Sequence, residues 1–172
     1  LLLVLLSKWR VLAVRPRYWI INMQANLVDF IVSISVVMVM YSVAATGAYA
    51  LWLQIVLTAF YIVWLVVVKP RSSLKAIRWQ AGTSLVFGTL ALFIVSYGWP
   101  SIAVVAAMAL IGYVAARHVL AQYKEDHLQF LALLFAFLFG IVAWLLNHWV
   151  IAYTAPIVDV RIPQAVFIVA AF

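Results

Sequence analysis

The chain alternates long apolar runs with short polar segments, and the length of the runs is the first informative feature. They cover 27–45, 48–68, 81–97, 101–116 and 128–146, and the fourth is short for a span unless it continues to Leu120. About 20 apolar residues in a helix cross the roughly 30 Å hydrocarbon core of a bilayer. In hydrocarbon a helix satisfies every backbone N–H and C=O within its own segment. The pattern predicts five complete spans. A sixth helix is expected to start at Pro163, since proline suits the first helical turn, and to stop at Phe172 after about half a span. The expected fold is an all-α, polytopic transmembrane helical bundle, with both ends reading as cut from something longer.

The connections are short. Thr46-Gly47-Ala48 leaves room for nothing but an antiparallel helical hairpin. Gly98-Trp99-Pro100-Ser101 punctuates the chain and lets Ser101 cap the following helix. A basic loop covers 69–80, a polar loop 117–127 and an outer loop 147–163. Before the first span, 7–26 carries Lys8, Trp9, Arg10, Arg15, Arg17, Tyr18 and Trp19, with Pro16 interrupting. Apolar bodies with cationic tips suit a helix in the membrane interface, Lys and Arg snorkelling to the headgroups. The chain therefore divides into 1–26, a basic interfacial segment or the tail of an upstream helix, and 27–172, the bundle.

Composition excludes a soluble domain. Of 172 residues 70% are hydrophobic and 9% charged, too few charges to cover an aqueous surface. The net charge of +7 is concentrated between the apolar runs. A Lys or Arg at the centre of a spanning helix costs about 2.5–3.5 kcal/mol. Placing the N-terminus in the cytoplasm puts every basic residue except Arg161 on that side, as the positive-inside bias requires. Trp19, Trp64 and Trp79 then fall near the inner boundary, and Trp52, Trp99, Trp144 and Trp149 near the outer one. Anionic phospholipid at the cytoplasmic face is the expected partner. Nucleic acid is not, because no aqueous domain exists to carry such a surface. The expected location is a prokaryotic-type inner membrane. There are no cysteines, which excludes disulfides, thiolate metal sites and a cysteine nucleophile.

Candidate chemistry lies on two polar stripes. Asn22, Asn26, Asp29 and Ser33, spaced by four, three and four, share one helix face. Asp29 is the one acid within an apolar run, and an intramembrane ionisable group is a functional candidate by default. Gln80, Thr83 and Ser84 open the third span, with Gly88 one turn on. Facing each other, the stripes would line a polar transport site open to the cytoplasm, with Arg78 or Arg117 as counter-ion of Asp29. The competing reading is structural: a hydrated or capped acid and polar side chains that link helices. Gln54 and Thr58, at helical spacing, read as a helix contact.

Small residues mark packing faces that let backbones approach: Ala132, Ala136 and Gly140, then Gly88, then Gly112. His118 and His127 fall in the polar loop and His148 at the outer boundary, where solvated roles suffice. No hydrolase, phosphate-loop or dinucleotide motif occurs, so neither an enzyme nor a cofactor is expected. The leading expectation is a small transport protein, channel-like or solute-binding. The alternative is a structural or accessory subunit, docked in a homo-oligomer or a larger membrane complex.

Overall fold

The structure is a computed structural model that describes residues 2–13, 18–43, 47–96, 98–148, 151–155 and 160–163. Its body is helical: α1 Leu2–Leu12, α2 Trp19–Ala25, α3 Leu27–Val43, α4 Ala50–Val63 with a π turn at Trp64–Val68, α5 Leu74–Val95, α6 Ser101–Tyr123 and α7 Leu128–His148. Four helices are long and apolar enough to cross a membrane: Ala50–Val68, Leu74–Val95, Ser101–Tyr123 and Leu128–His148. The helix read as the first span, α3, has 17 residues, a length of about 26 Å. Only Asn26 separates it from α2. There the Asn26 N–H bonds to the Met23 carbonyl at 3.0 Å, and its own carbonyl accepts from Phe30 at 2.9 Å.

Three boundaries differ from the sequence reading. α5 starts at Leu74, where Ser73 Oγ accepts from the Ala76 N–H. The basic segment is therefore largely helical: Lys75 and Arg78 stand on the exposed side while Ala76, Ile77 and Gln80 are buried. Cations on an outward helix face need no loop to reach water or headgroups. α6 continues to Tyr123, which places Arg117 and His118 on a helix. It stops at Lys124, whose φ of 53° is left-handed, a common way for a helix to end. After α7, the segment expected as an outer loop contains an antiparallel hairpin of β1 Ile151–Ala155 and β2 Val160–Pro163. Pro163, expected to open a sixth helix, ends β2 instead; the rest of that expected helix, Thr46, Arg15, Pro16, Arg17 and Trp149 lie outside the described residues.

Packing follows residue size. On α7, Ala132, Ala136, Gly140 and Ala143 are buried, and this face lies on α6. A Cβ added at Gly112 of α6 would lie 2.8 Å from Cγ and 2.9 Å from Cβ of Phe139. Gly88 of α5 sits between Ile31 of α3 and Ile111 of α6, each 3.1 Å from such an atom. The core gathers Val28, Val32 and Val36 of α3 with Tyr61, Trp64 and Val114, and Val4 of α1 packs against it. Large apolar side chains point outward, among them Trp52, Val56, Phe130, Phe137 and Leu138. In water such a surface would drive association. In lipid it costs nothing, because acyl chains are as apolar as leucine.

These contacts separate two glycine positions. Gly112→Ala should lower stability by about 1–3 kcal/mol through overpacking, because the Phe139 atoms it meets are too near the backbone to swing away. Gly140→Ala should be neutral or stabilising by up to about 1 kcal/mol from helix propensity, since its nearest neighbour would be Ala109 Cβ at 3.6 Å. Thermal unfolding of the two variants in detergent checks this; equal destabilisation would count against the α6–α7 interface. In the same assay Lys124→Gly should raise stability, because glycine adopts left-handed φ without strain.

Candidate functional site

The most organised polar cluster lies where α1, the start of α3 and the end of α4 meet. Asp29, in the first turn of α3, is 5% exposed. The N-terminal end of a helix favours its negative charge. Lys8 Nζ of α1 donates to Oδ2 and also to the Asp29 carbonyl oxygen, at 3.1 Å for the latter. Lys69 Nζ donates to the same Oδ2 at 2.7 Å, and Trp64 Nε1 donates to Oδ1 at 3.0 Å. One turn on, Ser33 Oγ donates to the Asp29 carbonyl at 2.6 Å and shares a hydrogen bond of 2.9 Å with the Tyr61 hydroxyl. Tyr61 in turn reaches Ser7 Oγ at 3.2 Å. Lys8 also stands 4.7 Å from the centre of the Phe30 ring, a cation–π contact. Among the described residues, every buried side-chain N or O has a partner.

Lys8 is the unexpected member. The described part of α1 has 11 residues, about 16 Å of helix. Its lysine turns inward and is 6% exposed. Burial pulls the Lys8 pKa below the ordinary lysine value because it disfavours the ammonium, and the bond to Asp29 works the other way.

The π turn brings the α4 partners together. In an α-helix, residues five apart point about 140° away from each other. Here the Lys69 N–H bonds to the Trp64 carbonyl at 2.8 Å, an i→i+5 closure that stacks the two residues. The Trp64 indole and the Lys69 ammonium thus reach the same carboxylate. Gln80 of α5 closes the helix end just past the π turn: Nε2 donates to Val68 O at 2.8 Å and Arg71 O at 2.9 Å. Gln80 Oε1 accepts from His118 Nε2 of α6 at 2.9 Å.

The residues of the two polar stripes are distributed among separate contacts. Asp29 and Ser33 belong to the cluster. Asn26 Nδ2 donates to the Asn22 carbonyl at 2.8 Å. Gln80 ties the π turn to α6. Ser84 is fully buried, donating to its own Ala81 carbonyl at 2.8 Å. Thr83 lines a groove beside Phe60 and Phe87. Thr58, paired with Gln54 by spacing, donates to the Gln54 carbonyl. The counter-ions of Asp29 are Lys8 and Lys69. Arg78, expected in that role, instead donates to the Tyr123 hydroxyl, and Arg117 donates to Gln24 Oε1 at 3.3 Å.

Two cavities are lined by described residues. One, of about 350 Å³, lies between the start of α3 and α6 and is lined by Gln24, Arg117, His118 and Gln122. The other is a groove of about 520 Å³ beside α5. Neither is lined by Asp29 or Gln80. His148 Nδ1 donates to the Trp144 carbonyl at 2.8 Å. Among the described residues, no three His, Asp or Glu side chains gather as a metal-ion set. Compared with known proteins, the chain matches no family model, no curated protein and no solved structure.

Trp64 left a trace in the sequence. Asp29 lies 18 positions before Gly47 and Trp64 lies 17 after it, so an antiparallel hairpin turning at Gly47 places them at one level. Lys8 left no such trace, because its approach depends on how the chain folds back between α1 and α3.

Asp29→Asn would leave two lysines without their counter-charge, and should cost about 3–5 kcal/mol, as removal of one partner of a buried ion pair does. Lys8→Met should cost less, because Lys69 still balances the carboxylate. Thermal unfolding in detergent ranks the two; wild-type stability of Asp29→Asn would show that the cluster does not hold the helices together.

Proposed function

We propose that the chain is a non-enzymatic integral membrane protein that serves as a structural or accessory subunit of a membrane assembly. It stands with its N-terminus and basic segments in the cytoplasm, as in a prokaryotic-type inner membrane. The observation that carries this reading is the internal pairing of Asp29: among the described residues each buried polar group has its partner within the chain, and neither described cavity is lined by the carboxylate. A coupling site must exchange a proton, ion or solute with water, whereas this one is filled with its own side chains. The outer face of α7, with Phe130, Leu134, Phe137 and Leu138 exposed, is available to another apolar chain or to lipid.

The orientation rests on the convergence of charge. The Lys69–Asp29, Arg117–Gln24 and Arg78–Tyr123 contacts bring the basic segments to one end of the bundle. Anionic headgroups in the cytoplasmic leaflet match that end.

Transport is the second reading. It is favoured by the cavity beside Arg117 and His118, whose lining carries more polar groups than the groove beside α5.

Proteoliposomes decide between the two. The subunit reading expects no proton, potassium or chloride flux above that of empty vesicles, and in native membranes a cross-linked species larger than one chain. Flux by wild type above that of empty vesicles would replace it with the transport reading. Because the chain lacks cysteine, Ser72→Cys and Ser101→Cys can each be labelled alone with a membrane-impermeant maleimide. Reaction of Ser101→Cys but not Ser72→Cys from the outside is expected; the reverse would invert the orientation.

A further inference from the structure

The groove beside α5 has a gradient of chemistry along its length. Lys75, Trp79, Gly82 and Val86 recur at spacings of four, three and four and so form one helix face. Arg78 joins Lys75 at the end nearest the basic segment, while Phe60 of α4 and Phe87 wall the other end. Those two rings stack with centroids 4.3 Å apart and bridge α4 to α5. None of the lining side chains is acidic. From Lys75 to Val86 the helix rises about 16 Å, close to half the roughly 30 Å hydrocarbon core. The face therefore passes from cations, through an indole, to purely apolar walls over the depth of one leaflet.

We propose that this groove is a binding site for one anionic phospholipid, its phosphate at Lys75 and Arg78 and one acyl chain against Gly82, Val86 and the Phe60–Phe87 pair. The site rests on the membrane reading above, with the basic end at the cytoplasmic leaflet. Charge complementarity selects the headgroup: two cations with no acid beside them attract an anion, and each cation near a membrane surface is worth about fivefold in affinity. Arg78 donates through Nε and Nη2 to the Tyr123 hydroxyl. That holds the guanidinium in place and leaves its remaining donors for a phosphate. Trp79 suits the headgroup level, where its ring is amphipathic. Gly82 is what makes room for the chain: a Cβ added there meets nothing within 4 Å, so the helix wall recedes between Trp79 and Val86. The volume, about 520 Å³, falls in the usual range for a small-molecule site of about 300–1,000 Å³.

The test uses the whole chain in nanodiscs of phosphatidylcholine containing phosphatidylglycerol, with retained lipids counted by native mass spectrometry after release. Wild type should retain phosphatidylglycerol over phosphatidylcholine by several-fold. Lys75→Gln, on an exposed turn and not itself part of the Arg78–Tyr123 contact, should reduce that preference about fivefold. Gly82→Leu should abolish retention of both lipids at this position while thermal stability is kept, because leucine fills open groove and is the better helix former. Equal retention of the two lipids by wild type, or full retention by Gly82→Leu, would overturn the site. So would a second copy of the chain seated in the groove, seen as a dimer that Gly82→Leu dissolves. Should Gly82→Leu fail to fold, Lys75→Gln decides by itself. Flotation with vesicles separates the two ideas. A wild type that does not float removes the membrane reading and the site together, whereas a floating wild type without lipid preference removes the site alone.

Discussion

A carboxylate placed in an apolar bundle must be either neutral or matched, and matching Asp29 organises one end of this protein. Taking an ion out of water costs several kcal/mol unless partners restore what hydration supplied. Asp29 recovers it from two ammonium groups, an indole N–H and its place in the first turn of α3. Because the donors come from α1 and the end of α4 and the carboxylate from α3, satisfying one charge fixes three elements relative to one another. This matters most for α1 and α4. The first turns Lys8 inward to the carboxylate, and the second buries little of itself: Tyr61 and Trp64 are the buried residues of α4 and its π turn, and both bond into the cluster.

The π turn is the local adjustment that permits this. Trp64 and Lys69 would diverge on a regular helix, and one widened turn aligns them. The helix ends directly after it, and the Gln80 amide donates to two carbonyls at that end. Gln80 is held in its turn by His118. The polar residues of α5 and α6 thus stabilise the backbone beside the cluster and leave its carboxylate to the lysines. Residues that share a helix face do not for that reason share a site. Asp29 and Ser33 meet α1 and α4, Thr83 looks into the groove, and Ser84 returns its hydrogen bond to its own helix.

Elsewhere the helices sort side chains by size. Alanine and glycine face inward on α7 and α6 so that backbones can approach, and phenylalanine, leucine and tryptophan face out. The small-residue positions Gly88, Gly112, Ala132, Ala136 and Gly140 find their partners within this chain. The surfaces left for lipid or another chain are the large apolar ones.

The helical class, the positions of α4 and α7 and the small-residue faces were legible in the sequence, because hydrocarbon imposes a length and an apolar composition that a run of residues either meets or does not. Where α5 begins and where α6 ends was less legible. A polar, cationic stretch reads as a loop, yet on an outward helix face it is equally at home. The partners of Asp29 belonged almost wholly to the tertiary structure. Any of several cations could in principle balance that charge, and the choice of Lys8 and Lys69 over Arg78 and Arg117 depends on a fold-back of α1 and a single widened turn, neither of which leaves a periodic mark in the chain.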